Sequence, residues 1–146
     1  MKRTLLLFII CSAPRATAQT PARATTGGVY SAPQAERGRV AYAGFCRSCH
    51  SPASHSGTTF EKIWKGKTLG DLFGYLTAQM PKNDPGSLNP DQYADVMAYL
   101  LKMNALPAGK IELPADSAQL ASIRIELPAK KNTAPRAHPT TRKKGA

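Results

Sequence analysis

The chain is poor in cysteine, in acid and in long apolar runs, and each shortage narrows what it can be. Three cysteines, at positions 11, 46 and 49, are too few for a disulfide-stapled scaffold. They are too few for a structural zinc site as well, which needs a second ligand pair beyond Cys46 and Cys49. No apolar run approaches the roughly 20 residues that span a bilayer, so the mature protein is expected to be soluble. Nine acidic residues stand against twenty lysines and arginines, for a formal net charge of +11. The excess lies mostly at the ends: Lys130 to Ala146 holds six bases and no acid. Without that tail and the N-terminal segment, the body carries bases only slightly in excess of acids. The length allows one domain with one modest core.

What is present is concentrated in Cys46-Arg47-Ser48-Cys49-His50. This Cys-x-x-Cys-His pattern is the attachment site of a c-type haem. Two thiols at this spacing lie on one turn of chain and can form thioethers to the two haem vinyl groups. The histidine directly after them is carried under the ring, where an imidazole nitrogen can bind the iron as proximal ligand. A thioredoxin-like redox pair would sit beside a strand–helix unit, and no such unit is legible around these residues.

The N-terminus reads as an export signal. Met1-Lys2-Arg3-Thr4 is a charged start, Leu5 to Ile10 a short apolar segment, and Ala16-Thr17-Ala18 places small residues where a signal peptidase reads. Cleavage is expected after Ala18, which puts the protein in the periplasm. Lipoprotein processing at Cys11 is the alternative, but the bulky Ile10 stands where a small residue is wanted. Removal of Cys11 leaves only the two motif thiols, as haem ligation outside the cytoplasm requires. Nucleic acid is then no expected partner, despite the charge.

Residues 19–30 are small and polar, with Pro21 and the pair Gly27-Gly28, and are expected to form a flexible leader. The main domain is expected over 31–106. Ser31 is a candidate N-cap with Pro33 in the first turn behind it, and Gln34 to Phe45 reads as a helix running into the haem motif. Gly38 on this helix costs about 1 kcal/mol, which close approach of another helix would justify. Ser51 to Gly57 is a loop by composition. Phe60 to Lys65 reads as a short helix, and Thr68 to Ala78 as another, capped by Thr68 with Asp71. Its stripe is Leu69, Leu72, Phe73 and Leu76, and it stops before Met80-Pro81. Asn89-Pro90-Asp91 starts a last long helix, whose stripe Tyr93, Val96, Met97, Leu100 and Leu101 runs to about Asn104. The pentapeptide Ile-Glu-Leu-Pro-Ala occurs at 111–115 and again at 125–129, around a short helical stretch from Asp116 to Ile123. Residues 107–129 are expected to form an extension packed on or near the domain. The tail 130–146 is expected to be disordered.

From about Gln34 to Asn104 the chain resembles class I cytochrome c. The resemblance rests on Gly38-x-x-x-Tyr42 before Cys46, on Met80-Pro81 between a helix and Pro85-Gly86-Ser87-Leu88, and on Val96-x-x-Tyr99 in the last helix. It implies an all-α cytochrome c fold, with three to five helices around one covalently bound haem and Tyr99 packed on Tyr42 over Gly38. The segment Tyr93 to Leu101 is similar to the closing helix of bacterial periplasmic cytochromes that take electrons from quinoprotein or sulfur-compound dehydrogenases. Many relatives carry Gly-Pro-x-Leu after the haem histidine, and its proline carbonyl accepts the imidazole N–H. Here Ser51-Pro52-Ala53-Ser54-His55 stands instead, so the acceptor for His50 is open.

Met80, Met97, Met103, His55 and His138 are the candidates for the second axial position. Met97 falls on a core stripe, Met103 at a helix end, His138 in the tail, and His55 too close behind His50 to swing easily round the ring. Met80 sits in a loop that a proline stiffens, and is the favoured ligand. A thioether favours ferrous iron and raises the potential relative to two histidines. With both axial positions filled, one-electron transfer rather than catalysis is expected, from a periplasmic dehydrogenase toward a terminal oxidase. Trp64 either donates its indole N–H to a haem propionate, as a tryptophan does in many relatives, or packs on the haem edge. Lys62, Lys65, Lys67 and Lys82 either ring the haem edge for an acidic partner or form a solvated face. The tail could meet an anionic membrane surface. The rival readings are a haem subunit of a dehydrogenase complex and a five-coordinate haem protein that binds small ligands or peroxide.

Overall fold

The computed structural model describes residues 23–129. The N-terminal stretch expected to be a signal segment, with Cys11, the start of the expected leader, and the C-terminal stretch with His138 lie outside the described residues. Five helices, α1 (Ala32–Phe45), α2 (Gly57–Trp64), α3 (Leu69–Gln79), α4 (Pro90–Met103) and α5 (Ser117–Ala121), account for most of the structure. The two strands among the described residues, β1 (Arg23–Ala24) and β2 (Ile123–Arg124), pair in parallel. The fold is all-α, as the sequence implied. No helix among the described residues is long and apolar enough to cross a membrane.

Helix boundaries follow from local chemistry. The Ser31 hydroxyl accepts the N–H of Gln34, and Pro33 lies in the first turn of α1. Thr68 and Asp71 form a full capping box on α3, and Asn89 does the same on α4 with Gln92 as its partner. Helix α3 gives way to extended backbone at Met80, directly before Pro81.

The α1–α4 crossing is the centre of the core. A Cβ on Gly38 would run into the Asp95 carbonyl, so only glycine allows the two backbones to meet there. Beside that contact the Tyr42 and Tyr99 rings pack at 5.4 Å between centroids. Arg37 of α1 donates to Asp95 at 2.9 Å and to Glu112 at 2.8 Å, so one guanidinium ties α1 to α4 and to the C-terminal extension. The stripe expected on α4 is buried, together with Ala94 and Ala98.

One stretch differs from expectation. Residues 23–30 are not a flexible leader: Thr25, Val29 and Tyr30 are buried. The Thr25 hydroxyl donates to the Glu126 carbonyl at 2.6 Å and accepts its N–H at 2.9 Å, while Tyr30 donates to the Leu106 carbonyl at 2.7 Å. Polar composition suggested mobility, but the partners that order this stretch lie far along the chain. Residues 107–129 do pack on the domain, and Leu113, Leu120, Ile123 and Ile125 join its core. The repeated pentapeptide is used in two different ways. Ile111 is 55% exposed while Leu113 is buried; in the second copy Ile125 is fully buried.

Gly38→Ala should separate α1 from α4 and lower stability by about 1–3 kcal/mol, read by chemical denaturation. Gly44→Ala, on the same helix with open space around it, should cost nothing.

Candidate functional site

Helix α1 delivers the haem motif. Cys46 caps it with its N–H bonded to the Tyr42 carbonyl, and the chain then turns tightly. The N–H groups of Cys49 and His50 both bond to the Cys46 carbonyl, at 3.2 and 2.9 Å. That turn sets both thiols and the imidazole on one short arc. Cys46 is half-buried and Cys49 exposed; burial pushes the Cys46 thiol up. The buried Tyr42 donates to the His50 carbonyl at 3.1 Å, which fixes the backbone behind the imidazole.

After the motif a 3₁₀ turn, Pro52–His55, folds back beneath it. The His55 ring lies 4.6 Å from that of His50, between centroids. Burial, and then the neighbouring His50, hold His55 below the usual histidine range. Asn104 at the end of α4 secures this loop by donating to the His55 carbonyl and accepting the Gly57 N–H, each at 3.0 Å.

The opposite side of the site is α3 and the loop beyond it. Met80 is the C-cap of α3, with its N–H bonded to the Leu76 carbonyl. Its own carbonyl accepts the Tyr93 hydroxyl of α4 at 2.6 Å. Between the two sides lies an open cleft containing about 740 Å³ of empty space, part of it continuous with solvent.

Cys46, Cys49, His50, Met80 and Trp64 all line this single cleft. His55 lines it too, so it stays beside Met80 as a group within the site. Met97 does not; it is fully buried in the core of α4. Met103 packs against the core from the side. Of the four lysines considered, Lys82 reaches the cleft. Lys65 pairs with Glu61 at 3.0 Å, and Lys67 lies 4.9 Å above the Trp64 ring. Trp64 also meets Tyr75 edge to face, 5.5 Å between centroids. Sequence reasoning missed the tyrosines: Tyr93 looked like one more member of an apolar stripe, and Tyr75 lies outside the stripe assigned to its helix.

The donor set suits a large, flat, iron-bearing ring. Phe60, Leu72, Leu76, Val96 and Leu100 give the cleft apolar walls, on which two thiols, an imidazole and a thioether are placed. Among the described residues no group of three or more His, Cys, Asp or Glu could hold a bare metal ion.

The Tyr93 hydroxyl is the one side-chain bond on the Met80 backbone that can be removed without changing shape. Tyr93→Phe should loosen the Met80 loop by about 1 kcal/mol. Hydrogen exchange should then quicken about fivefold at Met80 and Gly86, whose N–H also points at the Met80 carbonyl, while α1 keeps its protection.

In comparison with known families, the model described as cytochrome c oxidase, cbb3-type, subunit III, matches residues 33–100. No curated protein and no solved structure matches the chain. The matched span begins in the first turn of α1, contains the thiols, His50, the cleft and Met80, and ends within α4. Residues 33–100 are therefore a c-type cytochrome domain, which implies haem.

Proposed function

We propose that the protein is an exported one-electron carrier with a single haem c, joined to the chain through Cys46 and Cys49 and ligated by His50 and Met80. The observation that carries this reading is the convergence of both thiols, His50 and Met80 on one apolar cleft. Bound there, the haem supplies a one-electron Fe(III)/Fe(II) couple. The chain's own residues do the rest. The turn from Cys46 to His50 presents the thiols and the imidazole together, with Tyr42 bracing its backbone. Met80 offers a soft thioether that favours the reduced metal. Phe60, Leu72 and Leu76 exclude water, which keeps reorganisation small and the potential high. Trp64 closes one side of the cleft and serves as a propionate donor or an edge contact. With His50 and Met80 both held to the metal by the chain, electron transfer would take precedence over ligand binding or peroxide chemistry.

The signal-like N-terminus supports export to the periplasm with cleavage after Ala18, and its partners there are redox proteins: a dehydrogenase as donor and a terminal oxidase or another acceptor. The exposed Lys82 at the cleft suits an acidic docking face, and the basic tail suits an anionic membrane surface. A second reading, a haem subunit held permanently in a larger oxidoreductase, is favoured by the description of the matching family. A stoichiometric complex that survives purification would select it over a free shuttle.

Absorption spectra of the haem-loaded protein, oxidised and reduced, with and without carbon monoxide, test the assignment. A low-spin spectrum with the weak long-wavelength methionine–iron band and no response to carbon monoxide is expected. The band should vanish in Met80→Ala and persist in His55→Ala. A high-spin spectrum, or ready carbon monoxide binding by the unaltered protein, would replace the carrier with a five-coordinate haem protein. The haem should stay with the chain through denaturation and be lost from the Cys46→Ser/Cys49→Ser double variant.

A further inference from the structure

Residues 107–129 lie beyond the matched cytochrome domain, yet they are gripped along their length. The buried Gln34 side chain exchanges two hydrogen bonds with the Leu113 backbone, at 2.8 and 3.0 Å, and Arg37 holds Glu112. The segment then passes to α3. Helix α5 presses on Gly70 so closely that a Cβ there would lie 2.9 Å from the Ala121 backbone and 3.0 Å from the Ser117 carbonyl. Ile125 accepts the Gly66 N–H at 2.9 Å and donates to the Lys67 carbonyl at 2.8 Å, directly before α3 begins. Arg124 adds a bond to the Gly66 carbonyl at 2.8 Å, and Thr25 fastens Glu126 on the far side. Leu120, Ile123 and Ile125 of the segment are themselves buried.

The two faces of α3 have different neighbours. Leu72, Tyr75 and Leu76 line the cleft. At about 100° per residue, Gly70 lies roughly opposite the middle of that set. Helix α3 is thus lodged between the cleft and the C-terminal segment, and its last residue leads straight into Met80.

We propose that residues 107–129 are a clamp that holds α3 against the cleft and so keeps Met80 on the iron. The proposal rests on the Met80 ligation given above. Its anchor is on α1, at Gln34 and Arg37, and its grip is at 66–70, one helix length away from the ligand. Loosening the grip frees α3 to move away as a unit, so that Met80 leaves the metal while the α1–α4 crossing stays closed.

Two variants of the haem-loaded, full-length protein test this. Gly70→Ala wedges α3 from α5, and Thr25→Val removes both bonds to Glu126 with little change of shape. Ala35→Gly, in the buried face of α1, is the control for loss of stability without loss of the clamp. The readouts are amide hydrogen exchange along α3 and the rate at which carbon monoxide enters the ferrous protein. Both clamp variants should exchange α3 amides and take up carbon monoxide at least tenfold faster than the parent, with α1 and α4 still protected. Ala35→Gly should match the parent in both. Should Gly70→Ala fail to fold, Thr25→Val alone decides. Clamp variants indistinguishable from Ala35→Gly, with a parent that excludes carbon monoxide, overturn the clamp alone. Rapid uptake by the parent itself overturns Met80 ligation and the clamp together.

Discussion

Everything in this fold depends on two backbones meeting where one side chain is missing. At Gly38 α1 lies directly on the Asp95 carbonyl of α4, and the two helices then act as one rigid cross. The cross fixes both sides of the cleft. One arm ends in the Cys46 turn, so the thiols and His50 inherit the position of α1. The other supplies Val96 and Leu100 to the cleft floor and the Tyr93 hydroxyl to the Met80 carbonyl. A displacement at the crossing would therefore shift His50 and Met80 relative to each other, although neither touches it.

Around the cross, polar contacts set direction and apolar burial sets strength. Arg37 is half exposed at its side chain, so its ion pairs contribute little energy through charge alone. Their value is geometric: one planar guanidinium addresses Asp95 and Glu112 at once and fixes where the C-terminal segment leaves α1. Hydrogen bonding to Arg37 holds the Glu112 carboxyl below its ordinary range. This tie is therefore present above ordinary carboxylate pKa values and is released only as pH falls through the depressed one.

Legibility in the sequence followed the distance over which each interaction acts. Caps at Ser31, Thr68 and Asn89 join residues three apart and could be read directly, as could the stripe on α4. The Cys-x-x-Cys-His turn is local as well, so three of the site residues were plain. Gly38 signalled the close approach of another helix by its cost alone, but the packing of Tyr99 on Tyr42 over it came from family resemblance, because nothing local says which helix will cross another. What stayed hidden is long-range and polar. Gln34 was read only as the start of a helix, and nothing near it in sequence announces the Leu113 backbone, 79 positions away, that its amide meets. The Thr25 stretch read as a mobile leader because its composition is polar, and polar composition does not reveal a partner.

Thr25 and Glu126 are 101 positions apart, and they exchange both of their hydrogen bonds with each other. Contacts of that separation close late, since they pay the loop entropy of about two-thirds of the chain. Residues 33–100 need no such closure to form α1, α3 and α4. As the chain emerges from its N-terminus, the pocket can thus take shape before its last fastening exists. For that interval the α1–α4 cross alone shapes the crevice, and α3 stands against it without its outer support.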